Sequence, residues 1–526
     1  MLSTGDKKVL KNYVTNTEGP VFGYKNMPPV VVGTLFGRYS RSELGARELL
    51  LKDFINNDEF KEIGESLTSQ DSAVNAEKAE AFYSRVLDQY GDDSVAELGG
   101  TSLSVESISN VLAKLIEDRR IGLSPLEKSS RYVMFDQKDD SGHYNYFIDP
   151  DVESAGLGTE YRKVMDLLFE TYSQSIPVLM EALKEKFPQK EGQSDNAYSK
   201  ALRAQACDVA RYLLPMCTKT NIGLTGNGRA FEYLVYQLRS SKLKEAQDFA
   251  DMIQIELEKI IPAFLRRAKG EIGKGHVDYL QARTDLVNSL SKNVHKHVSD
   301  EPSVKLIDFD ADGESKVLAA LIYENSGKDF TECTVLAKEN PDLLNHFMDL
   351  SVDLRKHRTH KPPRAFEHTY YQFEIKCDIG AYRDLHRHRV LTQQRQPFTT
   401  DLGYVIPEDI VRAGLKDKYC HALDSAKLLH DKLISKLPTQ AQYVVPFGYL
   451  IRFTMRFNAR EAYHLSELRS TIQGHPSYRF VAQEIAKEIT KVHPKLGSAM
   501  MVTWDGYDEM ARAASEERLE KLSHKK

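Results

Sequence analysis

Ala381-Tyr-Arg-Asp-Leu-His-Arg-His-Arg-Val-Leu-Thr-Gln-Gln-Arg395 is the stretch on which the reading turns. It packs Arg383, Arg387 and Arg389 with His386 and His388 into one short amphipathic segment. His368-Thr-Tyr-Tyr-Gln-Phe-Glu-Ile-Lys-Cys377 precedes it, and its aromatic and β-branched content predicts a strand. A strand feeding a helix that ends in Arg-His-Arg gathers fixed cations at one spot. Such a cluster repels itself unless a carboxylate or a phosphate sits among it. A solvated helix end, favoured by the negative helix C-terminus, is the plainer account. Taken alone, the stretch fits both.

The first half of the chain repeats the order. Alternating residues from Thr101 to Ser107 suggest a strand, and Val111 to Arg120 reads as a helix ending in arginines. Ile121-Gly-Leu-Ser-Pro-Leu-Glu-Lys-Ser-Ser-Arg131 follows. A second set of marks recurs as well: Arg211-Tyr-Leu-Leu-Pro215 before Asn227-Gly-Arg229, answered by Gln442-Tyr-Val-Val-Pro446 before Asn458-Ala-Arg460. Arg119 and Arg387 stand 268 apart, whereas Arg229 and Arg460 stand 231 apart. The first copy therefore carries about 37 extra residues between its anchors, and polar Lys186 to Ser199 is one place for them. A period this long means duplicated domains rather than a solenoid.

The 526 residues exceed one ordinary core. Hydrophobic content of 41% and charged content of 28% are those of a soluble globular protein. The net charge of −5 gives no bulk attraction to nucleic acid or anionic lipid, so phosphate binding must be local. No apolar run reaches the roughly 20 residues that span a bilayer, and the N-terminus lacks the apolar core of a signal peptide. The five scattered cysteines form no Cys-x-x-Cys pair, so a reduced, cytoplasmic chain is expected. The expected boundaries are an irregular N-terminal arm over 1–30, a first domain over 31–290, a second over 300–515 and a polar tail over 516–526. Ser42 is expected to cap the first helix.

With these residues in view, the chain resembles the flavin-dependent thymidylate synthases. Their hallmark is Arg-His-Arg followed by x-x-Ser-x-Asn-Glu-x-Ser-x-Arg, with a later Asn-Ala-Arg opening a helix that ends in Leu-Arg. The first copy keeps Arg119, Ser124, Glu127, Ser129 and Arg131 but has Arg120 and Ile121 for the His-Arg of the triplet. The second keeps Arg387, His388 and Arg389 but has Arg395, Pro397 and Thr399 where glutamate, serine and arginine are expected. Arg211 becomes Gln442 in the second copy, while Asn458, Arg460, His464 and Arg469 keep family spacing. Asn227, Arg229 and Arg239 occur in the first copy on a helix one residue longer. The losses are complementary.

The resemblance implies an α+β fold of two tandem thymidylate synthase-like domains, each a mostly antiparallel sheet with packed helices. It implies a composite site in which substrate binding falls to Glu127, Ser129, Arg131, Arg211 and Arg387. Arg469 would be catalytic, stabilising charge on the pyrimidine. His388, Arg389, Asn458, Arg460, His464, Glu367 and Glu97 would attend the flavin. The implied reaction is reductive methylation of deoxyuridylate (dUMP) to thymidylate (dTMP), with FAD as cofactor and NADPH and methylenetetrahydrofolate as co-substrates. It also implies a homodimer equivalent to the family's tetramer. The rival expectation is a diverged paralogue that binds flavin or a pyrimidine nucleotide without this chemistry. No metal is expected, because the histidine spacing matches no metal signature.

Overall fold

The computed structural model describes residues 2–20, 22–27, 32, 35, 36, 44–55, 97, 99–131, 133–290 and 301–505. The elements that position the site are, in chain order, α1 (Thr4–Leu10), β1 (Gly100–Ser109), α2 (Asn110–Glu117), β2 (Leu123–Glu127), α3 (Gly158–Lys186), α4 (Asp195–Ala210), β3 (Lys219–Asn227), α5 (Gly228–Arg239), β4 (Ser303–Phe309), β5 (Tyr370–Asp378), α6 (Ile379–Leu385), β6 (Thr392–Arg395), α7 (Lys416–Lys436), β7 (Leu450–Asn458), α8 (Ala459–Arg469) and α9 (Pro476–Val492). Two sheets with many helices make an α+β chain.

The duplication is written into strand register. In one sheet, of order β1-β3-β2, Glu127 pairs with Ile222 and Ser124 with Thr225. In the other, of order β4-β5-β7-β6, Arg395 pairs with Phe453 and Thr392 with Arg456. The first-named partners differ by 268 and the second by 231, the two offsets of the motifs. Both hairpin-like pairings are antiparallel, so the same residues face the same way in each copy. Among the described residues β4 has no counterpart in the first sheet.

The compact units do not follow the copy boundary expected near 290–300. One unit comprises residues 1–108, 112–127 and 220–295; the other comprises 109–111, 128–219 and 296–526. The second unit thus holds a long segment of the first copy. Backbone hydrogen bonds fix that segment there: Met216 N–H donates to the Val445 carbonyl at 2.9 Å, and Phe447 N–H to the Leu214 carbonyl at 2.9 Å. Pro215 and Pro446 face each other across this antiparallel crossing, which suits a residue without an N–H to give. Gly448 is required at the crossing, since a Cβ there would lie 2.7 Å from the Tyr419 hydroxyl. The extra length of the first copy is helical: α3 has 29 residues against 21 in α7, and α4 has been added after it.

The second unit's core is lined by β5 and β7, whose inward residues Tyr371, Phe373, Ile375, Phe453, Met455 and Phe457 are all buried. The N-terminal arm is less irregular than its sequence suggests. It opens with α1, where Ser3 and Asp6 cap each other reciprocally, the Ser3 hydroxyl accepting from Asp6 N–H at 3.1 Å. Ser42 and the tail beyond 505 lie outside the described residues.

Candidate active site

Within the second unit, side chains from both copies meet around Asp384. Arg131, from the first copy, forms a forked pair with Asp208 of α4: Nε to Oδ1 at 2.7 Å and Nη2 to Oδ2 at 2.8 Å. Its Nη1 donates to the Tyr478 hydroxyl at 2.9 Å. Arg211 lies 3.9 Å from Asp208 and 3.8 Å from Asp384. Asp384 in turn faces Arg387 at 3.8 Å and Arg469 at 4.0 Å. These distances to Asp384 are within ion-pair range but beyond hydrogen-bond reach. The guanidinium carbons of Arg131 and Arg469 each stand 5.7 Å from the Tyr478 ring centroid, so one ring on α9 touches an arginine of each copy.

Behind Arg469 lies a relay whose proton positions can be deduced. Arg469 Nε can only donate, and it does so to His388 Nε2 at 3.0 Å. That nitrogen must therefore carry a lone pair, so the proton sits on Nδ1 and points to Glu461 Oε1 at 2.7 Å. Burial holds the His388 pKa below its ordinary value against the pull of Glu461, which keeps the ring neutral and the tautomer fixed. Burial alone would raise the Glu461 carboxyl, but His388 and His464 bring it below its usual range. His388, Glu461 and His464 have ligand atoms within 4.8 Å of one another. Yet the edge of His388 facing Glu461 is its N–H, and Arg469 occupies the other edge, so the trio is a hydrogen-bond relay.

Burial is offset elsewhere in the cluster too. It opposes the charge on Arg131, but Asp208, Tyr478 and Asp384 together outweigh it and the pKa rises. It would raise Asp384, but Arg387, Arg211, Arg131 and Arg469 hold it low. Arg469 is lowered by burial. Four guanidiniums surround two aspartates in this group.

The other expected site residues have local surroundings of their own. Glu127 ends β2 in the first unit, with its buried carboxylate 2.9 Å from Lys114 Nζ, a lysine that also pairs with Glu117. Glu97 pairs with Arg229 at 2.9 Å in that unit, as Glu367 pairs with Arg460 at 3.0 Å in the other. The Asn458 side chain caps α8 by accepting from Glu461 N–H at 2.9 Å. Arg460 also donates to the Pro362 carbonyl at 2.9 Å. Ser129 accepts from Arg131 N–H at 3.3 Å, and Arg389 lies exposed just beyond α6. Asp208, Asp384 and Tyr478 were not foreseen. The signal available for the aspartates was their placement three residues before Arg211 and Arg387.

The family model of the thymidylate synthase complementing protein (Thy1) matches residues 52–263 and again 305–495. The chain belongs to that family. The double match agrees with the repeated strand register. A UPF0159 protein of Chlamydia muridarum is 39% identical over 98% of both chains, and UPF0159 protein Ta1429 of Thermoplasma acidophilum is 30% identical over 92% of this chain and 98% of its own. A flavin-dependent thymidylate synthase of Sulfurisphaera tokodaii is 28% identical over 37% of this chain and 76% of its own. Among solved structures, a UMP/dUMP methylase PolB from Streptomyces cacaoi, bound with 5-Br UMP, matches at 18% identity with a TM-score of 0.30. It covers 39% of this chain and 96% of its own, a likeness too slight to argue from. Among the described residues no helix is long and apolar enough to cross a membrane.

Proposed function

We propose that this Thy1-family chain reductively methylates dUMP to dTMP, using methylenetetrahydrofolate, FAD and NADPH, in the cluster around Asp384. The observation that carries the reading is Arg211. Its side chain is buried, its Nε and Nη2 make no hydrogen bond, and its carboxylate neighbours stand too far off to accept one. Leaving a buried charged donor unmet is costly, more than about 1–3 kcal/mol. A nucleotide phosphate, with three strong acceptor oxygens and about −1.5 to −2 charges, suits those donors and the surplus of guanidinium around the two aspartates.

In this reading Arg211, Arg131 and Ser129 hold the phosphate, with Arg387 beside them. Arg469 stabilises negative charge as it builds on the pyrimidine ring, and a fixed donor of that kind is worth about 2.7–4 kcal/mol of barrier. His388 positions Arg469 by accepting from its Nε, and Glu461 holds His388 in the tautomer that allows it. The cationic and polar side chains at the more open end, Arg389, Arg460 and His464, suit the pyrophosphate of a dinucleotide, with Glu367 holding Arg460. FAD bound there would supply the hydride.

Release of tritium from ring-labelled dUMP in the presence of all three co-reactants tests the proposal. Release that requires FAD and methylenetetrahydrofolate is the expected result. A second reading, nucleotide binding without turnover, is favoured by the three hydrogen bonds that commit Arg131 to Asp208. A protein that binds dUMP and FAD yet releases no tritium would establish it and overturn the first.

A further inference from the structure

The first unit has a cavity of about 490 Å³, lined among others by Arg119, Arg120, Gly122, Asn227, Arg229 and Tyr233. By the two offsets, its walls occupy the positions of the His388 relay. Arg120 stands where His388 does, Ala230 where Glu461 does and Tyr233 where His464 does. A carboxylate and two imidazoles have become a methyl, a guanidinium and a phenol. The relay chemistry is therefore gone while the space has stayed.

Glu97 and Asp118 also line that space, Glu97 paired with Arg229 at 2.9 Å, so its three guanidiniums outnumber its carboxylates by one. Arg119 lies over the Tyr233 ring, its Cζ 4.7 Å from the centroid, and its Nε is buried with no hydrogen-bond partner. Burial lowers the Arg119 pKa, Tyr233 works against that, and the nearby Arg229 adds a smaller lowering. Gly122, at φ +77°, forms a bare backbone corner: a Cβ there would lie 2.8 Å from the Ala230 methyl. The Asn227 N–H donates to the Gly122 carbonyl at 3.2 Å and fixes that corner.

We propose that this cavity is a second ligand site, which takes a nucleoside monophosphate, the phosphate on Arg119 and the planar base along Tyr233, and holds it without turnover. The volume is in the range of small-molecule sites, about 300–1,000 Å³. Arg119 can turn its forked N–H donors to a phosphate, and the Tyr233 ring beside it offers an aromatic edge to a base. The site does not depend on thymidylate chemistry in the second unit.

Calorimetric titration of the full chain with adenosine and uridine 5′-monophosphates, and with inorganic phosphate, tests it. The expected result is adenosine monophosphate binding that weakens at least tenfold in Arg119→Gln and is unmoved in Arg395→Ala, a residue outside both sites. Tyr233→Leu should weaken the nucleotides several-fold and leave inorganic phosphate unchanged, a split that general unfolding would not give. Failure of the unaltered chain to bind either nucleotide would overturn the proposal. So would adenosine monophosphate binding untouched by Arg119→Gln, or lost only in Arg469→Ala.

Discussion

Helices α5 and α8 begin alike and end alike, yet their final arginines do unrelated things. Each starts from an asparagine that caps its own third residue, Asn227 on Ala230 and Asn458 on Glu461. Each ends on Leu-Arg. But α5 has 12 residues and α8 has 11. One extra residue turns the last side chain by about 100° at 3.6 residues per turn. Arg469 consequently reaches His388, whereas Arg239 forks onto Asp251 at 2.7 and 2.9 Å and donates to the Ala268 carbonyl at 3.1 Å. The longer helix thus commits the Arg239 guanidinium to Asp251 and Ala268. Positions 120, 230 and 233 differ from their counterparts as well.

The largest effect should come from the arginines themselves. Arg469→Ala should lower tritium release by about 10²–10³-fold, the usual cost of losing one such donor. Arg239→Ala should leave it within about twofold, and steady-state rates on the two variants check this. An equal loss from both would erase the distinction between the helices.

Next in size is Glu461→Ala, which gives α8 the residue found at 230 in α5. It strands the His388 Nδ1 proton in a buried site, and hydrogen bonds to charged groups carry about 1.5–3 kcal/mol. Thermal melting should register that loss of stability. The rate should fall too, with recovery in Glu461→Gln, which still accepts a hydrogen bond.

Acid should sharpen the contrast between relay and replacement. Burial lowers the pKa of His388, and likewise of His475, His430 and His493. Their ordinary value is about 6.5, so below that pH the unfolded chain binds more protons than the folded one. The stability they allow is fully present above pH about 6.5 and is lost as pH falls. Asp384 and Glu461, both held low, add a further loss in the carboxylate range. Melting temperature measured from pH 8 to pH 4 should therefore decline from near 6.5 downward, and a flat profile would refute the assignment. The smallest effect is expected for Arg395→Ala on β6, which stacks on Phe398 at 4.9 Å; about 0.5–1 kcal/mol of stability should go, with tritium release little changed.

The strands and the repeat were legible because register is set by residue pattern, and both motif offsets reappear as strand partners. The meeting of Arg131, Arg211, Arg387 and Arg469 could be anticipated from complementary motif losses. Their counter-ions carry only a weak mark: Asp208 and Asp384 stand three residues before Arg211 and Arg387, a spacing common on solvated helices. Contacts such as Arg131 with Tyr478, 347 residues apart, depend on packing that no local rule encodes. The resemblance groups Glu127 with Arg131 through the Glu-x-Ser-x-Arg motif. β2 ends at Glu127, however, and its side chain turns to Lys114, a buried amine that must be paired. The unit boundary was hidden for a similar reason: 128–219 is drawn to the second copy by backbone bonds at Pro215 and Pro446.

The central claim is that one site is made from both copies, and tritium release from Arg131→Ala and Arg469→Ala, alone and together, tests it most directly. A shared site predicts that each single variant loses nearly all activity and that the double variant is scarcely worse. Two self-sufficient sites would leave about half the activity in each single variant, and that result would contradict it.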